Sequence, residues 1–376
     1  MTRIVNPTAL PPPPRGHASA RYTSSKLPLE ESTSTTDSPT FPAQFTQEFR
    51  FDYTYWSFDR SPGHPVATQS TIYDELGVLA LQQVLQGNNC SVFAYGQPSA
   101  GKTYSLMGSS GERASLPASV KTNGNVNGVR APPSALSLSE RRGLIPRIFQ
   151  GLFAEIDEGK RSGNSYTVIM SYVEIYDERV YDLLSQSTMK KSLKVREHPD
   201  DGAFVERARR VQVTSSSQVV ELIEEGNRTR SVSSSRPSRS HTVLLLSLSQ
   251  NSPAVSSPRK SKLAVVDLAA SERVDRSDVS GLRAREAASV NRSLATLADV
   301  VGALAKRRSG RSVDGSHRQK VFAPYRNSVL TRLLKDCLGG HAKTIILGTI
   351  SPCCAHYEES MTTLRYIERA RSVYST

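Results

Sequence analysis

The residues best suited to chemistry form a glycine-rich segment, GQPSAGKT, directly after the apolar run SVFAY (91–95). Its small residues let backbone N–H groups turn inward around an anion, and Lys102 can reach the β- and γ-phosphates of a nucleotide. The Thr103 hydroxyl can ligate Mg²⁺, and a helix that begins here would point its positive end at the phosphates. The alternative interpretation is an unoccupied glycine-rich turn, but the apolar run directly before the segment favours nucleotide binding. The pattern predicts a nucleotide-binding loop made of Gly96, Gln97, Pro98, Ser99, Ala100, Gly101, Lys102 and Thr103.

Two further segments could complete such a site. A phosphate-binding loop works with an acid that holds a Mg²⁺-bound water at a strand end, and with groups that sense the γ-phosphate. Asp267 follows the apolar residues LAVV, which is where such an acid belongs. SRPSRSH (235–241) supplies hydroxyl groups and Arg239 just before another apolar run. Taken alone, this second segment is more simply interpreted as a solvated loop.

The elements that must position these residues are strands that alternate with helices. Continuous apolar runs predict central strands that are buried on both faces, and an alternation of strands with helices is typical of a layered α/β domain. The strand signals are at 49–58, 91–95, 166–176, 242–248, 263–268 and 344–350. The helix signals are at 71–86, 286–305, 328–338 and 357–373.

The composition is that of a soluble, intracellular chain. It has 376 residues, a formal net charge of +13 and 37% hydrophobic residues, and we expect its four cysteines to be reduced thiols. It shows no run of about 20 apolar residues that could span a membrane, and its N-terminus lacks the apolar core of a signal peptide. The charge predicts a polyanionic partner, but composition does not separate nucleic acid, anionic lipid and acidic protein.

Three segments differ from the rest of the chain. Residues 1–45 hold eight of the 21 prolines and are predicted to be disordered or degenerate. Residues 109–142 contain no aromatic residue and are predicted to be a flexible insertion. Residues 306–320, KRRSGRSVDGSHRQK, carry six Lys/Arg and one Asp and are predicted to be a basic loop. We therefore expect one domain over 46–376, with the insertion and the basic loop inside it.

Taken together and in this order, the motifs resemble the kinesin motor domain. The resemblance covers roughly residues 45–374, and FDYTYWSFD before the glycine-rich loop is closest in look to the third kinesin subfamily. The matching segments are GQPSAGKTYSLMG (96–108), GLIPRI (143–148), SYVEIYDERVYDLL (171–184), SSRPSRSH (234–241), DLAASE (267–272), VNRSLATLADVVGAL (290–304) and APYRNSVLTRLLKDCLGG (323–340).

This resemblance implies a fold, an activity and a partner. The fold would be an α/β, P-loop NTPase-type layered domain, with a central, mostly parallel twisted sheet and helices on both faces. The activity would be ATP hydrolysis, with ATP and Mg²⁺ bound, stimulated by microtubules and coupled to movement along them. The resemblance implies microtubules in the cytoplasm as the partner, with no nucleic acid and no membrane contact, and it leaves the cargo open.

Residue roles are carried over by the same resemblance. Gly96 to Thr103 would hold the phosphates, with Mg²⁺ near Thr103 and Ser238 in switch I, and with Asp267 of switch II holding a Mg²⁺-bound water. Arg239 and Glu272 would form an ion pair that closes the two switches, coupled to a helix that begins near Glu286. The microtubule-binding residues would be Lys306, Arg307, Arg308, Arg311, Arg318, Lys320, Arg326, Arg332 and Lys335.

The chain also departs from the family pattern. Ala270 replaces a switch II glycine and would be strained at positive φ. Ser234 and Pro237 change switch I, where a proline fixes φ and removes a donor. Ser99 places a Cβ where the loop and a phosphate come close, and no R-x-R-P strand is recognisable in 1–45. These departures leave a second hypothesis open: a microtubule-binding protein that holds nucleotide with weak or no ATPase activity. A nucleic-acid ATPase would explain the charge but none of the switch motifs.

Overall fold

The computed structural model describes residues 18–23, 46–57, 66–109, 140–187, 191–199, 201–233, 239–253, 257–271, 282–309 and 322–374. The strands are β1 (Ala18–Thr23), β2 (Thr46–Phe51), β3 (Cys90–Gly96), β4 (Ser165–Tyr176), β5 (Arg179–Asp182), β6 (Val195–His198), β7 (Gly202–Val205), β8 (Val211–Gln212), β9 (His241–Asn251), β10 (Arg259–Asp267) and β11 (Lys343–Thr349). The helices are α1 (Gln69–Ile72), α2 (Val78–Leu85), α3 (Lys102–Met107), α4 (Leu144–Arg161), α5 (Ser216–Ser233), α6 (Leu282–Ser309), α7 (Val329–Leu333), α8 (Lys335–Leu338) and α9 (Tyr357–Tyr374).

The central sheet has the strand order β11-β3-β10-β9-β4-β5, and β8 pairs with β4. Strand β3 lies parallel to both β10 and β11. From β10 onward the sheet is antiparallel, because β9 is antiparallel to both β10 and β4. The α/β fold class is confirmed, but the parallel pairing is confined to the strands around β3. An apolar run indicates burial on both faces and carries no information on strand direction; here the short connection 252–258 makes β9 and β10 a hairpin.

Two apolar cores cover the two faces of the sheet. Alternate residues of β3 point to opposite sides: Val92 and Ala94 belong to one core, and Phe93 and Tyr95 belong to the other. The first core includes residues of α1 to α5, and the second includes residues of α6 to α9. All seven residues of β3 are buried, as the period of a strand packed on both sides requires. The prediction of buried central strands is therefore confirmed for β3.

Several predicted elements differ in their bounds. The aromatic run 49–58 is a strand only up to Phe51, and the predicted helix 71–86 is divided by a π-helical turn over Tyr73–Gly77. The predicted helix 328–338 is divided into α7 and α8 at Leu334, whose backbone leaves the helical conformation. Helix α6 continues to Ser309, so the first four residues of the predicted basic loop 306–320 are helical. The rest of that loop, 310–320, lies outside the described residues.

The unusual segments are described only in part. Within 1–45, the structure describes β1, which pairs antiparallel with β2 in a two-stranded sheet; the other residues lie outside the described part. The two ends of the insertion meet directly after α3, where the Ser109 N–H donates to the Arg141 carbonyl over 3.1 Å. Residues 110–139 are outside the described ranges. Among the described helices, none has both the length and the apolar character needed to cross a bilayer.

Candidate functional site

The glycine-rich loop connects the end of β3 to the start of α3. Lys102 is 8% exposed, and its ammonium donates to the carbonyl oxygens of Gly96 and Gln97 over 2.9 and 2.8 Å. Gly96 has φ +150, and a Cβ there would lie 2.2 Å from the Thr349 carbonyl oxygen, so only glycine fits. Gly101 has φ +97 at the N-cap of α3. The structure thus places a strand, a turn and a helix in the order that a phosphate-binding loop requires.

Ser99 occupies an unusual backbone conformation inside this loop. Its φ is +58, in the left-handed region that glycine adopts freely. A residue with a Cβ is disfavoured there by roughly 1–2 kcal/mol. This backbone effect is distinct from the expected close approach of a phosphate to the Ser99 Cβ, which stays a prediction. The strain lies in the backbone of the chain, whether or not a ligand is near.

Asp267 and Thr103 lie beside each other at the carboxyl ends of two parallel strands. Asp267 ends β10, opposite Ala94 of β3, and its Oδ2 accepts a 2.5 Å hydrogen bond from the Thr103 hydroxyl. Its Oδ1 is buried and has no hydrogen-bond partner within the described structure. Burial raises the pKa of Asp267, while the Thr103 hydrogen bond and the positive charges of Arg230 and Lys102 lower it. A hydroxyl and a carboxylate with an unsatisfied oxygen are hard donors of the kind that Mg²⁺ accepts, so these residues fit that ion.

Arg239, just before β9, forms an ion pair with Glu286 of α6. The Arg239 Nη1 lies 2.8 Å from the Glu286 Oε2, and both side chains are largely buried. The Tyr176 hydroxyl at the end of β4 donates to the other oxygen of Glu286. Sequence reasoning paired Arg239 with Glu272 instead; Glu272 and Ser238 both lie outside the described residues. In the described part of the chain, Arg239 is therefore tied to the first turns of α6.

A buried polar cluster behind this pair was missed by the sequence analysis. Arg230 of α5 donates from Nη2 to the carbonyl and hydroxyl oxygens of Ser240, each over 3.0 Å. The Ser240 hydroxyl donates to Glu174 over 2.6 Å, and the Arg230 Nε lies 3.4 Å from the same carboxylate. Glu174 is only 3% exposed. Its position in the apolar run YTVIMSYVEIY was the available signal, because a buried carboxylate needs a cationic partner.

His241 connects the segment after β10 to α6. Its Nδ1 accepts the Ala269 N–H over 2.9 Å, so its Nε2–H donates to the Ser293 hydroxyl 2.6 Å away. Burial lowers the pKa of His241 to about 3, with a smaller contribution from the positive charge of Arg230. Ala270, which follows Ala269 in the chain, is 3% exposed and is not among the described residues at positive φ. The strain expected at Ala270 is therefore absent from this conformation.

Three of the predicted filament-binding residues that the structure describes lie on and beside α7 and α8. We call Arg326, Arg332 and Lys335 the contact face; Arg326 and Lys335 are exposed, and Arg332 is partly exposed. Lys306 is exposed near the end of α6. The acid beside this face, Glu197 of β6, was not predicted from the sequence; it pairs with Lys335 over 3.0 Å. The backbones of Arg307 and Arg308 belong to α6 but their side chains are not described, and Arg311, Arg318 and Lys320 lie outside the described residues.

Comparison with known proteins gives a consistent result. The family model "Kinesin motor domain" matches residues 13–373, which reaches further toward the N-terminus than the expected 45–374. "Kinesin-related protein 1" of Dictyostelium discoideum is 38% identical over 339 residues, covering 87% of this chain and 14% of that protein. "Kinesin-like protein KIF1A" of Rattus norvegicus is 35% identical over 355 residues, covering 92% of this chain and 19% of that protein. The chain thus spans less than a fifth of the length of these two relatives.

Solved structures agree at the level of the whole domain. A KIF14 dimer with AMP-PNP in complex with a microtubule superposes with a TM-score of 0.69 at 34% sequence identity, covering 87% of this chain and 83% of that chain. The structure of a fast kinesin, whose description refers to ATPase mechanism and interactions with microtubules, superposes with a TM-score of 0.67 at 32% identity, covering 86% and 79%.

Proposed function

Because this chain belongs to the kinesin motor-domain family, we propose that it is an ATP-dependent motor domain that moves on microtubules. The observation that carries the proposal is the strand–loop–helix over 90–107, with Lys102 and Thr103 next to Asp267. This arrangement is the one that nucleotide phosphates require. The proposed activity is a microtubule-stimulated ATPase of the cytoplasmic microtubule cytoskeleton.

The glycine-rich loop would bind the phosphates of ATP. Gly96 to Thr103 would surround them with backbone N–H groups, and the N-terminus of α3 would add its partial positive charge. The Lys102 ammonium is held by two backbone carbonyl oxygens. A phosphate oxygen carries a full negative charge and accepts a stronger, charge-assisted hydrogen bond than a carbonyl. We therefore expect Lys102 to exchange its carbonyl partners for phosphate oxygens when ATP binds.

Thr103, Ser238 and Asp267 would hold Mg²⁺, the last through a water. The ion would neutralise charge on the transferring phosphoryl group. The chain's own contribution is visible in the described residues: the Thr103 hydroxyl and the Asp267 carboxylate are already in contact at 2.5 Å. Asp267 is buried, so its charge is poorly screened by solvent, and a nearby cation interacts with it strongly.

Arg239 and Glu272 would close the switches and order the attacking water. In the described structure Arg239 is paired with Glu286 of α6. An arginine that contacts Glu286 in one state and Glu272 in another would connect the switch with α6. That helix ends within the basic segment proposed to contact the filament.

The basic residues would bind the acidic surface of the microtubule. The proposed set is Lys306, Arg307, Arg308, Arg311, Arg318, Lys320, Arg326, Arg332 and Lys335. Exposed charges of this kind attract an oppositely charged partner over a Debye length of about 8 Å at physiological salt. They raise the association rate and the weak affinity without a fixed geometry. The KIF14 structure in complex with a microtubule supports this partner by family likeness.

The test is phosphate release from ATP with and without microtubules, using Lys102→Ala as the inactive control. We expect microtubules to raise the rate for the unsubstituted chain and to leave the variant at least about 100-fold slower, which is typical for the loss of a phosphate-stabilising group. A rate equal to that of Lys102→Ala would contradict the enzymatic proposal. The weak-ATPase hypothesis rested partly on Ala270, which is not at positive φ in this conformation. Ser234 and Pro237, on which it also rested, lie outside the described residues.

A further inference from the structure

Among the described residues, the acid Glu197 lies beside the contact face and interacts with all three of its cations. The Lys335 Nζ lies 3.0 Å from the Glu197 Oε2, and the Arg332 Nε lies 3.9 Å from the Oε1. The Lys335 hydrogen bond is the main cause of a lowered pKa at Glu197, and the charges of Arg326 and Arg332 add to it. Glu197 therefore lies among the positive charges that are proposed to bind an acidic filament.

Contacts with Asp336 of α8 hold strand β6, which carries Glu197, beside the contact face. Strands β6 and β7 form a hairpin, and the Ala203 N–H donates to the Asp336 Oδ2 over 2.7 Å. Lys262 of β10 lies 3.0 Å from the same oxygen. A Cβ at Gly202 would lie 1.9 Å from that oxygen, so only glycine allows this approach. Because Asp336 follows Lys335 in the chain, these contacts hold Glu197 opposite Lys335.

We propose that Glu197 lowers the affinity of the contact face for microtubules by pairing with its cations and repelling the partner's carboxylates. The proposal rests on the proposed microtubule binding and deepens it. The Glu197 and Lys335 side chains are 31% and 45% exposed, and exposed ion pairs are weak enough to exchange partners. A tubulin carboxylate must compete with Glu197 for Lys335 and also meets a like charge there, which reduces affinity and increases the dissociation rate.

The chain offers a matched control on the same hairpin. Glu206 follows β7 and pairs with Arg196 over 3.0 Å. Arg196 and Glu197 are neighbours on β6 and so point to opposite faces of the hairpin. Glu197→Gln and Glu206→Gln each remove one negative charge. The first variant breaks the pairs with Lys335 and Arg332, and the second breaks the pair with Arg196. The two variants differ because the charge of Glu197 lies beside the contact face, whereas the charge of Glu206 does not.

The experiment is co-sedimentation of the whole chain with microtubules over a series of salt concentrations. We expect Glu197→Gln to bind about fivefold more tightly at low salt, with the gain falling as salt screens the exposed charges. Glu206→Gln should bind within about twofold of the unsubstituted chain, as for a charge outside the interface. Glu197→Asp keeps the charge and should retain the unsubstituted affinity, whereas it would match Glu197→Gln if the glutamate acted only by packing.

Equal binding by Glu197→Gln and Glu206→Gln would overturn the role of Glu197 while leaving the motor proposal intact. Weaker binding by Glu197→Gln, with an unchanged melting temperature, would also overturn it. Weaker binding with a lowered melting temperature would show that Glu197 mainly supports the fold, again against the proposal. If the unsubstituted chain did not sediment with microtubules at low salt, both proposals would fail together.

Discussion

The nucleotide end, which comprises the glycine-rich loop and Asp267, and the contact face differ in how their charges are held. At the nucleotide end, Lys102 and Asp267 are 8% and 7% exposed, and each is fixed by short hydrogen bonds. At the contact face, Lys335 and Glu197 pair in contact with solvent. A buried charge without its partner is severely destabilising, whereas an exposed pair contributes little to the free energy of unfolding. The first region is suited to fixed geometry, and the second to reversible association.

The largest expected effect on stability is at the buried cluster of Glu174, Arg230 and Ser240. Glu174→Gln leaves the buried Arg230 guanidinium without its carboxylate, which we expect to lower the free energy of unfolding by about 3–5 kcal/mol. Urea denaturation measures this value. The matched control is Glu158→Gln, which breaks the exposed pair with Arg161 on α4 and should change stability by less than about 1 kcal/mol. Similar losses in the two variants would contradict the distinction between buried and exposed pairs.

The second prediction is that acidification lowers the stability of the chain through His241. Burial lowers the pKa of His241 from 6.5 to about 3 in the folded chain. Below about pH 6.5 this histidine is therefore protonated in the unfolded chain but stays neutral in the folded chain. The contribution of His241 to the free energy of unfolding therefore falls by about 1.4 kcal/mol when the pH is lowered from 7.5 to 5.5. Protonation would also remove the acceptor of the Ala269 N–H.

The measurement for His241 is urea denaturation at both pH values, compared between the unsubstituted chain and His241→Asn. The variant should be less stable at pH 7.5 but should lose less on acidification. If both proteins lost the same free energy between these pH values, the buried neutral histidine would not be the cause.

A smaller effect of opposite sign is expected in the glycine-rich loop. Ser99→Gly removes a Cβ from a backbone at φ +58 and should raise the free energy of unfolding by about 1 kcal/mol. The adjacent Ala100→Gly is the control, since Ala100 is not among the described residues at positive φ. That control should lower stability by roughly 0.5–1 kcal/mol. A thermal melt distinguishes them, and a shift of the same sign in both variants would rule out strain at Ser99.

The smallest effect on stability is expected at the contact face. Lys335→Gln breaks the pair with Glu197 and should change the free energy of unfolding by less than about 1 kcal/mol. The same variant should bind microtubules more weakly and with less dependence on salt. Lys160→Gln, which breaks the exposed pair with Asp157 on α4, serves as the control and should affect neither property. Unchanged binding by Lys335→Gln would remove this residue from the proposed interface.

The sequence by itself determined the family and predicted the phosphate-binding loop and most of the central strands, whereas helices α4 and α5 were not predicted. These features are local: GQPSAGKT fixes its own turn, and an apolar run such as SVFAY predicts burial wherever it packs. The sequence also predicted Asp267 at a strand end, and in the structure the Thr103 hydroxyl donates a hydrogen bond to this carboxylate. The direction of β9, the break at Leu334 and the extent of α6 were not predictable, because they depend on how neighbouring elements pack.

Only the tertiary structure decided which charges meet. Arg239 pairs with Glu286, Glu174 with Arg230, and Glu197 with Lys335, and the members of each pair are 47, 56 and 138 positions apart. Sequence patterns report local periodicity, while the partner of a charge is set by which elements the two cores bring together. The sequence therefore located the groups that can do chemistry, and the packing of helices against the sheet determined which charges are fixed and which remain free to exchange partners.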